Sequence, residues 1–264
     1  MIKKTIRWTV LAIAAAALGA CGGGGDSADD AVVPAPDTAT PDPAPVPAPS
    51  ATGVWTGSTD TLRSLTGVVL GDGTYYLVYS PAGTSAGLAG FIQGTGAMSG
   101  SMFTSANATD FSLEGAGSAS ATLSATVDPQ QQAFNGTIGY ASGPVVFETT
   151  PDPASGTAAS LALVEGTYSG SVVISAGAED AEVTVSSTGS LEGTGSSGCI
   201  VTGNVTPRTD VPAYTFSLTF GPAPCFFAGQ TFEGIAALRP DGMLQAAATD
   251  AARSQGIVFH GSRP

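Results

Sequence analysis

The chain has 264 residues, among them 36 glycines and 18 prolines; 11% are charged, and 21 acids against 8 bases give a formal charge of −13. That balance excludes a nucleic-acid binder, which needs a basic footprint to displace counterions. The glycine and proline content excludes a helical bundle.

In chain order, Lys3, Lys4 and Arg7 come first, followed by an uncharged apolar run over residues 9–18. The run is too short to span a bilayer, which takes about 20 residues, and its length and flanks suit an export signal. Leu18-Gly19-Ala20-Cys21 closes it. This stretch resembles the lipobox of bacterial lipoproteins: a large aliphatic residue, two small ones and a cysteine. The resemblance covers residues 1–21 and implies a signal peptide over 1–20, cleavage before Cys21, and acyl chains on the Cys21 sulfur and the new amino terminus. Because Gly22 rather than an aspartate follows, it further implies the outer membrane, with the chain facing the periplasm or the cell surface. One acyl chain binds a membrane only marginally, so multiple chains are what make an anchor stable.

Removing the leader removes every lysine. The mature chain keeps five arginines, Arg63, Arg208, Arg239, Arg253 and Arg263, against 21 acids, a formal side-chain charge of −16. Such a surface is repelled by anionic lipid and favours cationic partners.

Residues 21–52 read as the lipidated cysteine and a disordered linker. Gly22 to Gly25 are followed by Asp26, Asp29 and Asp30, and then by Pro34, Pro36, Pro41, Pro43, Pro45, Pro47 and Pro49. Apolar residues here are too few and too small for a core. Extended polyproline geometry gives a reach of roughly 100 Å, which suits a tether.

Residues 53–264 read as an all-β domain, an antiparallel barrel or sandwich, with related halves near 53–150 and 160–264. Tyr214, Phe216, Leu218 and Phe220 alternate with Thr215, Ser217 and Thr219, the period of a half-buried strand. Val183 and Val185 alternate likewise. Residues 75–79 form a denser strand after the turn Gly71-Asp72-Gly73. Further strands are expected at 54–58, 65–70, 89–93, 97–104, 119–127, 134–140, 145–149, 166–175, 191–195, 200–205, 230–238, 243–248 and 257–260. Residues 246–253 are the best candidate for a short helix. Many short strands separated by turn residues indicate a sandwich or barrel. The small size of each half favours one compact unit.

Two segment pairs suggest a duplication. Gly53-Val54-Trp55-Thr56-Gly57-Ser58 matches Gly166-Thr167-Tyr168-Ser169-Gly170-Ser171, and Phe134-Asn135-Gly136-Thr137-Ile138 matches Phe232-Glu233-Gly234-Ile235-Ala236. Gly53-Val54-Trp55 also resembles the G-x-W of the first lipocalin strand, and similar openings occur in the barrels of transferrin-binding surface lipoproteins. That resemblance covers three residues. No second lipocalin motif follows, so ligand binding is not carried over with it.

With Cys21 assigned to lipid, Cys199 and Cys225 remain as an even pair in an oxidising compartment, which predicts a disulfide. A hairpin through 206–212 brings the two segments together. Closing such a loop stabilises a fold by about 3–3.5 kcal/mol in the chain-entropy model. No CxxC spacing is present and His260 is the single histidine, so neither a metal nor a redox pair is expected.

The catalytic signals are weak. His260 sits on a terminal strand facing opposite to Ile257 and Phe259. There is no Gly-x-Ser-x-Gly elbow. Asp180 and Glu182 share a strand face beside Glu179 and read as a solvated edge rather than a calcium site. Asp72 and Asp241 each precede a glycine and read as turn residues. Gly94-Thr95-Gly96 lacks the helix and lysine of a phosphate loop. The sequence therefore predicts a non-enzymatic binding or envelope-interaction lipoprotein with no cofactor, a protein or small apolar molecule as partner, and no nucleic acid. The alternatives are a carboxylate enzyme acting on envelope polymers and a purely structural lipoprotein.

Overall fold

The computed structural model describes residues 48–115 and 117–264. The expected signal peptide, Cys21 and most of the expected linker lie outside the described residues.

Seventeen strands carry the described chain. The first nine are β1 (Gly53–Thr59), β2 (Ser64–Val69), β3 (Thr74–Tyr79), β4 (Gly90–Thr95), β5 (Ala97–Ser99), β6 (Met102–Ser112), β7 (Gly117–Asp128), β8 (Ala133–Tyr140) and β9 (Gly143–Pro151). A 3-10 turn (Pro153–Gly156) and a single helical turn, α1 (Leu161–Val164), follow. Then come β10 (Gly166–Ile174), β11 (Gly177–Val185), β12 (Ser190–Gly195), β13 (Ile200–Pro207), β14 (Tyr214–Phe220), β15 (Thr231–Leu238), β16 (Met243–Asp250) and β17 (Gly256–Ser262).

These strands close two antiparallel barrels, so the architecture is a pair of barrels rather than a sandwich. In the first, the order β4-β3-β2-β1-β9-β8-β7-β6 is closed by β4 pairing with β6, and β5 folds back on β6 as a short extra strand. In the second, β10 to β17 run in sequence order and β10 pairs with β17. Closure removes the exposed sheet edges that invite aggregation.

Side-chain alternation sets the faces. On β7, Ala121, Leu123, Ala125 and Val127 are buried, while Ser120, Thr122, Ser124 and Thr126 face water. On β14, Tyr214, Phe216 and Leu218 are buried and belong to the core of the second barrel. Apolar inside and polar outside is the reverse of a transmembrane barrel, whose outer band is apolar.

Strands β2, β3 and β4 break the alternation because both faces are covered. Tyr75, Leu77 and Tyr79 belong to the core of the first barrel, whereas Tyr76 and Val78 belong to a separate apolar cluster between the barrels. That cluster joins Val54, Val68, Leu70, Phe91 and Phe111 of the first barrel to Val211, Ala213, Ile235, Ala237, Ala247 and Val258 of the second. It explains the density of residues 75–79. Polar contacts flank it. Asp210 Oδ2 accepts from Gly71 N–H (2.7 Å), Arg239 Nη1 donates to Thr66 Oγ1 (2.9 Å), and Arg253 Nη2 donates to the carbonyls of Gln93 (2.7 Å) and Asn107 (2.9 Å).

Three expectations are corrected. Residues 246–253 form no helix: they are the end of β16 and a turn, and alanine is used there for its size. Ala246 lines the lumen of the second barrel while Ala247 packs between the barrels, and the close approach of the two barrels leaves little room beyond a methyl at 247. The strand expected over 97–104 turns at Gly100, where φ is +61°, and splits into β5 and β6. The second half of the apparent duplication fails, because Phe134 lies on the next-to-last strand of its barrel and Phe232 on the third from last. The first half holds. Gly53 and Gly166 open the first strand of each barrel with positive φ, at +155° and +129°. Two residues on, Trp55 Nε1 donates to Ala51 O (2.8 Å) and Tyr168 OH donates to Val164 O (3.0 Å). Each barrel is stoppered at the same end by an aromatic tied to the carbonyl four residues earlier.

Candidate functional site

The two interiors differ. The first is filled by Trp55, Tyr75, Tyr79, Phe103, Phe134 and Phe147, with rings in contact: Trp55–Phe134 at 5.3 Å, Phe103–Phe134 at 5.9 Å and Phe134–Phe147 at 5.7 Å. The second is lined on one side by Val183, Val185, Gly193 and Val201 and on the other by larger residues such as Phe216, Leu218 and Phe259, and holds an apolar cavity of about 90 Å³.

One end of this lumen is sealed. Val164 from α1 projects under it and is 1% exposed. Tyr168 and Tyr214 flank it, and Tyr214 OH donates to Ser160 O (3.2 Å). Arg263 locks the stopper: its guanidinium lies 5.0 Å from the Tyr168 ring centre, and its Nη2 donates to Tyr168 OH (2.6 Å) and to the Leu163 carbonyl.

The opposite end is a half-exposed apolar collar. Val172, Ile174, Ala181, Val183, Val201 and Phe220 are inward-facing yet only partly buried. The Cys199–Cys225 disulfide, with Cα atoms 4.5 Å apart, pins the β14–β15 loop to the start of β13 at this rim. Phe227 from that loop packs against Phe220 (5.4 Å) and Phe232 (4.9 Å), and its neighbour Phe226 stands 64% exposed.

One charged group lines the cavity, Glu179. Its strand parity follows Ala181, Val183 and Val185, all inward, whereas Asp180 and Glu182 face out. Glu179 Oε2 accepts from Ser197 N–H (2.8 Å) and from Ser196 Oγ (3.5 Å). Its carboxylate lies over Gly195, where a Cβ would come within 2.5 Å of Oε1. A glycine at 195 therefore seats the carboxylate at the rim. The period-2 pattern through Val183 and Val185, extended back two more steps, is the signal that reaches Glu179.

The other expected residues have ordinary roles. Asp72 Oδ1 accepts from Thr74 N–H (2.9 Å) and Asp241 Oδ1 from Met243 N–H (3.0 Å), both as turn residues. His260 is half-buried on the outer wall, and burial pushes its pKa below the usual value. Among the described residues no group of three or more His, Cys, Asp or Glu could hold a metal. All five arginines among the described residues are engaged within the domain: Arg63 with Glu114 (2.8 Å), Arg208 with Asp210 (2.8 Å), and Arg239, Arg253 and Arg263 as above.

The chain matches no known family profile and no curated protein. Among solved structures it is similar to transferrin binding protein B from Neisseria meningitidis serogroup B, at 11% identity and a TM-score of 0.28, over 76% of this chain and 66% of that one. It is similar to a mutant of transferrin binding protein B from Haemophilus parasuis, at 7% identity and 0.28, over 76% and 65%. It is also similar to a protein of unknown function from Nostoc punctiforme, at 10% identity and 0.28, over 80% and 94%. The chain thus spans slightly less than two thirds of both transferrin binding proteins. Likenesses at this level bear on neither activity nor partner.

Proposed function

We propose that this protein is a non-enzymatic binding module of the bacterial envelope, tethered to the outer membrane through lipid on Cys21, with its ligand site in the lumen of the second barrel. The observation that carries the reading is the apolar lumen itself, sealed at the α1 end and open at a half-exposed collar. Concave, mostly apolar pockets with a few polar groups are the usual form of small-molecule sites. The enclosed space of about 90 Å³ is smaller than the roughly 150 Å³ apolar cavity that takes benzene. The lumen therefore accepts a short apolar segment, and the rest of a ligand rests on the collar.

The test is a titration of the domain, residues 48–264, with n-hexanol, followed by methyl NMR. Saturable shifts at Val183, Val201 and Leu218 are expected, and they should vanish in Ala246→Phe, whose ring fills the lumen. Because that substitution risks misfolding, its thermal melt is read alongside, and Ala246→Leu serves as a milder block. Shifts that never saturate, or that persist in both blocked variants, overturn the reading.

The tether has a separate test. Cys21→Ser, expressed in the native host, should leave the leader uncut or release the protein from the membrane fraction. Unchanged mobility together with unchanged sedimentation removes the anchor from the proposal.

A further inference from the structure

We infer that the ligand of the second barrel is an amphiphile with a protonated amine head, its tail in the lumen and its head on Glu179. This deepens the lumen reading and rests on it. Three observations favour a cation. Glu179 is the one charged residue lining the cavity, and it stands at the open end. Its carboxylate is positioned rather than free to wander: Oε2 is fixed by Ser197 N–H, while Gly195 leaves room beneath Oε1. No arginine competes for it, since each of the five is engaged elsewhere and the mature sequence holds no lysine.

The pairing chemistry follows. An ammonium donates up to three hydrogen bonds and accepts none. At the rim it would replace water on Glu179 Oε1 while its carbon chain covers Ala181 and Val201. A carboxylate head in the same place would face Glu179 across a partly desolvated gap and be repelled. The anionic surface of the whole domain works in the same direction, concentrating cations near the mouth. Fatty acids are therefore disfavoured ligands for this barrel, although the lumen is apolar.

The test uses three probes with one tail: n-hexylammonium, n-hexanol and hexanoate, each titrated into residues 48–264 at pH 7 and low salt. The expected order is hexylammonium tightest, hexanol weaker by about three- to tenfold, and hexanoate weakest, the range spanning an exposed ion pair and a charge-assisted hydrogen bond. Added salt should shrink the first gap. In Glu179→Gln, hexylammonium should fall to the level of hexanol while hexanol itself is unchanged, and Glu179→Asp should restore part of the preference. Thermal melts of both variants confirm folding. Equal binding of hexylammonium and hexanol to the wild-type domain overturns the amine head and leaves the lumen reading standing. Failure of all three probes overturns both. A preference for hexylammonium that survives Glu179→Gln removes Glu179 as its source and so also overturns the inference.

Discussion

The two barrels share the pattern of their opening strand and its aromatic stopper, yet packed rings fill one and the other holds a cavity. The difference lies in side-chain volume at inward positions. In the first barrel β1, β3, β6, β8 and β9 carry rings at these positions, and Phe134 at 0% exposure touches three of the others. In the second, β11, β12 and β13 present Ala181, Val183, Val185, Leu191, Gly193 and Val201. Close-packed interiors gain dispersion contacts that a void forgoes. An unfilled lumen is thus a stability cost that the second barrel carries, offset by the disulfide at its rim and by the apolar seam it shares with the first. The same fold can serve as a scaffold in one copy and as a receptacle in the other.

This contrast can be broken most directly by adding carbon to each interior. Ala125 of β7 is 3% exposed and faces Gly136 of β8, where even a Cβ would approach the Ala125 Cβ at 2.6 Å. Ala125→Leu should lower stability by about 1–3 kcal/mol through overpacking. Ala246→Leu in the second barrel adds the same three carbons into empty lumen. It should leave stability unchanged or raise it, since each buried methylene is worth about 0.8 kcal/mol. Urea unfolding of the two variants and the parent measures both. Equal losses at the two positions would mean that the second lumen is as full as the first, and the contrast would fail.

How much of this was legible in sequence follows the physics of each element. The alternation from Tyr214 to Phe220, the turns at Asp72 and Asp241 and the pairing of Cys199 with Cys225 depend on local period, turn chemistry and parity, so the residues declare them. The inter-barrel seam depends on which outer faces meet. A strand buried on both sides, such as 75–79, shows its density but not its second partner. The alanines of 246–248 match helix propensity, but their smallness serves the seam on one face and the lumen on the other, and propensity cannot see either face. The lumen is a property of summed volumes over eight strands, which no single segment displays. In the sequence Glu179 stands out only as a neighbour of Asp180 and Glu182, because the i, i+2 pair shares a face; the parity through Val183 and Val185 that turns Glu179 inward shows only once the inner face is known.

The barrels also differ in where they hold carboxylates, and pH sharpens that difference by a smaller effect. The second keeps Glu179 at an open rim. The first encloses Asp110, whose Oδ1 accepts from Tyr79 OH (2.6 Å) and Oδ2 from Tyr140 OH (2.9 Å), with Arg63 held 5.2 Å from the Tyr79 ring centre. Burial pushes the Asp110 pKa above its ordinary value of 3.8, more than the two phenol hydrogen bonds and the nearby Arg63 pull it down. The folded state therefore keeps this proton at pH values where the unfolded chain has lost it. The contribution of Asp110 to stability is fully present below 3.8 and declines as pH rises through the folded-state value. Asp210 and Asp250, whose carboxyls are held below the ordinary value, contribute in the opposite sense and lose stability in acid, so the profile of a single protein cannot isolate Asp110. Asp110→Asn can, because it removes one titration and leaves the other charges in place. Urea midpoints of parent and variant, taken from pH 4 to pH 7 at fixed ionic strength, should diverge, with the parent losing ground to the variant as pH rises. Parallel profiles would place the titration of Asp110 at its unfolded value and make its enclosure electrostatically neutral.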